Sequence, residues 1–177
     1  MTNMVLKDVA KTAVWTLRAR AEEHLQANAL FRDDKAIEWM QRIPWPEELD
    51  EWYSDYAQTG ISVRTRVFDD LVRQHIHRMD QPLVVELGCG LSSRYYRIGQ
   101  GYSCWLDFDL PDVIQVRHEL APETDAHHNI AGSLLDYGWM DVVKQRQAKE
   151  LILVAEGLLM YFDKVQVMAL LQDPVLP

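Results

Sequence analysis

Four short apolar runs separated by amphipathic segments, with a glycine turn directly behind the first run, predict an α/β fold built on a parallel sheet. The first run is Leu83-Val-Val-Glu-Leu87, apolar and β-rich apart from Glu86, which suits a strand buried on both faces. Gly88-Cys89-Gly90 follows at once. A strand, a glycine turn and a helix start bring a ligand against bare backbone and free amides. Strands alternating with helices through the rest of the chain imply right-handed βαβ units with helices on both faces.

The totals agree with that class. A chain of 177 residues fits one structural domain and buries about 70% of its unfolded surface. With 48% apolar and 25% charged residues it is an ordinary globular composition. A net charge of −9 argues against a nucleic-acid partner, which calls for a basic stripe. No apolar run approaches the length of a membrane span, and the N-terminus lacks a signal-peptide layout. Two cysteines make no disulfide framework. Cys89 in the turn and Cys104 in an expected strand read as reduced thiols of a cytoplasmic protein.

In chain order, residues 4–27 read as a helix. Val5, Val9, Ala13, Leu17 and Ala21 recur at helical spacing, with Trp15 and Leu25 beside the stripe. A second helix is predicted over Asp34–Ile43, ended by Pro44 and Pro46. Trp39, Trp45 and Trp52 read as core aromatics around it. A short helix is predicted over Glu47–Ala57, closed by Thr59-Gly60. Val67, Leu71, Val72 and Ile76 then mark one face of a helix leading to the first strand. His75 and His77 diverge on a helix and have no ligand set nearby, so no metal is expected.

Behind the glycine turn, Leu91–Ile98 is expected to be a helix with Ser92 or Ser93 as its cap. The second strand is Ser103–Phe108, followed at Leu110-Pro111 by a helix to about Leu120. His127–Gly132 is the third strand, Trp139–Gln147 a short helix, and Glu150–Ala155 the fourth strand. A last helix, Lys164–Leu171, is stopped by Pro174.

Two details narrow the ligand of the turn. Ser93 stands where a pyrophosphate fingerprint has its third glycine. Glu86 lies two residues before the first glycine, where an acid suits a cationic ligand and not a phosphate. A generic βα turn is the competing reading. Asp109 follows Gly90 by 19 residues, at the end of the next strand. An acid there either reaches ribose hydroxyls or merely caps the next helix.

Six segments, in order, resemble the leucine carboxyl methyltransferase family of class I S-adenosylmethionine (SAM)-dependent methyltransferases. They are the stretch from Thr12 to Glu23, Arg64-Thr-Arg66-Val-Phe-Asp-Asp70, Val85 to Ile98, Asp107-Phe-Asp109-Leu-Pro-Asp112, Gly132 to Trp139, and Ala155-Glu-Gly-Leu-Leu-Met-Tyr161. Within the family, the tetracenomycin-type polyketide O-methyltransferase branch is most similar. The resemblance implies a Rossmann-like core over 81–177 and an N-terminal helical region, 1–80, forming part of the pocket lid.

It further implies SAM as methyl donor, S-adenosylhomocysteine (SAH) as product, and a hydroxyl or carboxylate oxygen of a small polyketide-like or carboxyl molecule as acceptor. Arg66 would pair with the SAM carboxylate. Glu86, Gly88 and Gly90 would meet the methionine part, and Asp109 the ribose. Ser133 and Leu134 would meet the adenine, although relatives often carry Asp at the position of Ser133. Glu156 would face the ammonium or the transfer site. Tyr161 would stand at the acceptor or be a core aromatic. Class I enzymes have seven strands, and this chain supplies candidates for the first four, in the order 3-2-1-4, with strands 5–7 lacking. The fourth would then present an apolar edge, to be covered by a second copy or a partner. A truncated, non-catalytic SAM-binding or self-associating module is the alternative expectation.

Overall fold

The computed structural model describes residues 11–101 and 104–172. The start of the expected first helix, Ser103 and the expected stop at Pro174 lie outside them.

The chain opens with a layer of three helices: α1 (Lys11–Leu25), α2 (Asp34–Met40) and α3 (Asp55–Ile76). Asp33 starts α2, its Oδ1 accepting from the Ala36 amide at 3.0 Å. Ser54 starts α3 in the same way, its Oγ accepting from Ala57 at 3.2 Å; each cap satisfies an amide with no partner inside the helix. Val14, Leu17 and Ala21 of α1 pack with Trp39 and with Val113, Val116 and Leu120 of α4 (Pro111–Leu120). Trp39 is fully buried and Trp45, half-buried, packs against the same cluster, but Trp52 is not core. Trp45 shares Arg18 with Tyr53, the guanidinium 4.3 Å from each ring, and Trp52 stands exposed.

One expected boundary fails here. Glu47–Leu49 forms only a single 3₁₀ turn, and Thr59-Gly60 does not end a helix. Instead α3 runs through Gly60 for 22 residues. A glycine inside a helix costs about 1 kcal/mol against alanine. Burial of Ile61, Val72 and Ile76 along the same helix outweighs that.

The sheet contains β1 (Leu83–Leu87), β2 (Cys104–Asp109), β3 (His127–Ala131) and β4 (Leu151–Val154). The order is β3-β2-β1-β4, parallel throughout, as the family resemblance implies. Val85 pairs with Leu106 on one side and Leu153 on the other, and all five residues of β1 are buried. Alternation along β1 sorts the two faces. Leu83, Val85 and Leu87 pack with Trp139 and Met140 of α5 (Gly138–Gln145) and Leu170 of α6 (Lys164–Gln172). Val84 points the other way, to Val72 and Ile76 of α3, and Glu86 shares that face by its even position.

The helix expected over Leu91–Ile98 is a second departure. After the turn the chain makes one wide π-helical turn, Tyr95–Gly99. Ser92 Oγ accepts from the Arg94 amide at 3.3 Å and caps no regular helix. The turn is held by side chains instead: Tyr95 stacks on His127 at 4.2 Å, and Arg94 and Arg97 bond into the helical layer beneath. Among the described residues no helix is long and apolar enough to cross a membrane.

Candidate functional site

The strands of a parallel sheet end along one edge, and the loops beyond them bound a crevice. Here that crevice is a cleft of about 410 Å³ at the carboxyl ends of β1, β2 and β4, roofed by α1 and α3. Glu86, Gly88, Gly90, Asp109, Ser133, Leu134, Glu156 and Tyr161 all line it. Arg66 does not. Its guanidinium lies at the surface, on Asp70 at 2.6 Å and the Leu30 carbonyl at 2.5 Å. Arg64, two residues earlier on α3, lines the cleft and donates to Glu156 Oε1 at 2.7 Å.

The glycine turn carries two left-handed residues, Gly88 at φ +61° and Gly90 at φ +51°, a region that side chains disfavour. A Cβ on Gly88 would also meet Leu158 at 2.5 Å. The turn is buttressed by buried Arg117, which donates to the carbonyls of Gly90 at 3.0 Å and Ser92 at 2.8 Å. Asn129, at 3.0 Å, and Asp107 hold the same guanidinium, and His127 Nε2 lies 2.6 Å from Asp107.

Asp109 accepts from the Gly90 amide at 2.6 Å through one oxygen and from the Leu110 amide at 2.7 Å through the other. A carboxylate has about four lone-pair sites, so each oxygen retains room for a ligand hydroxyl. Burial raises the Asp109 carboxyl above its usual range against the pull of those amides. Phe108, Val113 and Leu134 add an apolar wall beside it. Ser133 Oγ is turned to the Leu135 amide, 3.3 Å away.

The far end of the cleft is ionic. Arg94 is buried and donates from Nε to Asp69 at 2.9 Å, from Nη1 to Glu86 and from Nη2 to Glu156. Arg97 grips Asp69 at 2.6 Å and Asp33 at 2.7 Å. Arg20 reaches Asp33 at 3.3 Å and the Leu91 carbonyl at 2.5 Å. Burial alone would raise the carboxyls of Asp33, Asp69 and Glu156, yet the arginines around each outweigh it and hold all three below the usual range. Glu86 goes the other way. Burial pushes it up, Arg94 opposes, Asp107 and Glu156 add to the rise, and the nearby Ser92 side chain pulls weakly the other way. Among the described residues its buried Oε2 has no hydrogen-bond partner. Burial also lowers Arg20 to about 10 and raises the Cys89 thiol.

Sequence reasoning did not single out Arg64, Asp69, Arg94 or Arg97. The available signal was charge inside apolar surroundings. Arg94 and Arg97 flank Tyr95-Tyr96 beside Ile98, and charges so placed need buried partners.

The sequence profile of leucine carboxyl methyltransferases matches residues 9–174. The chain belongs to the leucine carboxyl methyltransferase family. It is similar to the tetracenomycin polyketide synthesis O-methyltransferase TcmP of Streptomyces glaucescens, at 31% identity over 157 residues, covering 88% of this chain and 57% of that protein. It is also similar to the S-adenosyl-L-methionine-dependent methyltransferase dpfgK of Gibberella zeae, at 26% identity over 183 residues, covering 96% of this chain and 61% of that protein. The chain thus spans about three fifths of the length of these curated relatives. In this member of the leucine carboxyl methyltransferase family, the matched region contains the glycine turn, the ionic end and Tyr161.

Proposed function

We propose that the chain binds S-adenosylmethionine in this cleft and serves an O-methyltransferase acting on a small polyketide-like or carboxyl acceptor. The observation that carries the reading is the order of groups along the cleft. An apolar wall, a carboxylate with spare lone pairs, a bare glycine turn and a mixed acid–arginine end follow one another. That order matches adenine, ribose, thioether and a zwitterionic amino-acid end. The names of TcmP and dpfgK support it.

The residues present fit the ligand. Leu134, Phe108 and Val113 would flank the base, and Asp109 the ribose hydroxyls. Gly88 and Gly90 leave no side chain to obstruct the thioether. Arg64, half-exposed and engaging Glu156 through Nε, is placed to take the ligand carboxylate, while Glu86 and Glu156 face the ammonium. When bound, SAM supplies a methyl group already activated on a sulfonium.

The chain's own part is alignment and exclusion of water, worth up to about 7–11 kcal/mol in favourable cases. Trp15, Ile61, Met160 and Phe162 wall the acceptor end. The Tyr161 hydroxyl lies 3.3 Å from Thr12 Oγ1 across it. No histidine or lysine is among the described lining residues, and both lining glutamates are engaged by arginine. An acceptor oxygen ionised before it arrives, on a carboxylate or an acidic phenol, needs no base and suits this site best.

The same reading makes residues 1–80 the lid region and 81–177 the nucleoside-binding core of one domain. It places the protein in the cytoplasm, where Cys89 and Cys104 stay reduced. A second copy is proposed over β4, whose outer edge pairs with no strand among the described residues. Light scattering that shows only monomer at every concentration would count against that. For the ligand, calorimetric titration with SAM and with SAH is the test. Micromolar binding of both supports the reading, and binding of neither overturns it.

A further inference from the structure

We propose that Arg94 is a positioning residue: it sets Glu86 and Glu156 side by side as a cation receptor and leaves Glu86 Oε2 as the contact for the ligand's ammonium. The proposal rests on the SAM reading above and adds a role for a buried arginine at the ionic end of the cleft.

Glu86 is the last residue but one of β1, and Glu156 follows β4, the strand paired with β1. Two carboxylates brought together this way repel and would splay apart. Arg94 prevents it by donating to both, one from each terminal nitrogen. Its third direction is fixed from behind: Nε bonds Asp69 on α3 at 2.9 Å, and Asp69 is in turn gripped by Arg97 through two nitrogens, at 2.6 and 2.9 Å. The guanidinium therefore has one orientation, and only a planar fork can serve three acids at once.

One oxygen is left out. Glu86 is 3% exposed, and among the described residues its Oε2 has no hydrogen-bond partner although the residue lines the cleft. A buried carboxylate oxygen left bare is costly, and such atoms call for an explanation. A cation entering the cleft supplies one. With Asp69 balanced by Arg97, the group Arg64, Arg94, Glu86 and Glu156 is neutral when all four are ionised. If a ligand carboxylate draws Arg64 away, the remaining three carry one net negative charge facing the ammonium. A zwitterionic end can thus bind without burying net charge, which is the expensive alternative.

The test compares two nucleosides by calorimetry. SAH carries the amino-acid end, and 5′-methylthioadenosine has the same nucleoside and thioether without it. R94M is expected to weaken SAH about tenfold or more while changing 5′-methylthioadenosine by less than about threefold. E86Q, which keeps the shape of the side chain, is expected to show the same selective loss and serves if R94M does not fold. Equal losses for both nucleosides would reduce Arg94 to a prop of the fold, and unchanged SAH affinity would remove its role; either overturns the proposal. An unsubstituted chain that binds 5′-methylthioadenosine as tightly as SAH also overturns it, yet leaves the nucleoside reading standing. An unsubstituted chain that binds neither overturns the SAM reading itself, and this proposal with it.

Discussion

Arg64 and Arg66 separate the two halves of the site argument. Both belong to the same Arg-Thr-Arg stretch, and successive residues on a helix turn by about 100°, so the two point to nearly opposite sides. Which one enters the cleft depends on how α3 is rotated. Its buried residues, Ile61, Thr65, Val72 and Ile76, set that rotation only once they have packed on α1 and the sheet. The expected outcome is that R64A and D109A each weaken SAH binding by about 1.5–3 kcal/mol, as for hydrogen bonds to charged groups. R66A, which alters a surface pair, should stay within about 0.5 kcal/mol. Titration of the three variants checks this, and a larger loss in R66A than in R64A would reverse the assignment. Glu86, Gly88, Gly90 and Asp109 were legible in the sequence because strand alternation and a tight turn fix them locally. The ionic partners were not: Arg94 meets Asp69 across 25 positions, and Arg97 meets Asp33 across 64.

At the scale of elements, the strands were legible, their order followed from the family resemblance, and two helix boundaries were not legible. Apolar runs such as Leu83–Leu87 and Leu151–Val154 carry their own signal, whereas the helix through Gly60 depended on the burial of Ile61, Val72 and Ile76 along α3, and Leu91–Ile98 on the partners of Tyr95, Arg94 and Arg97. Gly60 has nothing within 4 Å of an added Cβ and a helical backbone. G60A is therefore expected to stabilise the chain by about 0.5–1 kcal/mol. Gly99 is the opposite case. There a Cβ would meet Trp105 at 2.7 Å and Tyr95 at 2.9 Å, both rings buried in the core and unable to yield. G99A is expected to destabilise by about 1–3 kcal/mol, as overpacking does. Denaturant midpoints measured at constant slope decide both. A destabilised G60A would mean that α3 bends or breaks there after all.

Across the whole molecule, buried charge ties every layer to the cleft, and its titration predicts the shape of the stability curve. Asp33, Asp69, Asp107 and Glu156 sit below their ordinary values of 3.8, 3.8, 3.8 and 4.5, because the facing arginines, with His127 at Asp107, outweigh burial. On unfolding in acid these groups take up protons, so their contribution is present above the ordinary values and is lost as pH falls through the folded ones. Glu86 and Asp109 are raised above 4.5 and 3.8, chiefly by burial. Their native forms hold a proton that the unfolded chain has released. Their contribution is complete below the ordinary values and is lost as pH climbs through the folded ones. The two sets act in adjacent windows, so together they place a maximum near about pH 4–5, with a fall on both sides. Thermal midpoints measured across that range should trace it. E86Q carries no titrating group at the unpartnered oxygen and should flatten the neutral-side fall while keeping the acid-side one. If the neutral-side slope persists unchanged in E86Q, Glu86 is not the group whose raised pKa produces it. Among the described carboxyls raised by burial, the loss would then fall to Asp109, and a nucleoside bound as proposed, on Asp109, should alter it.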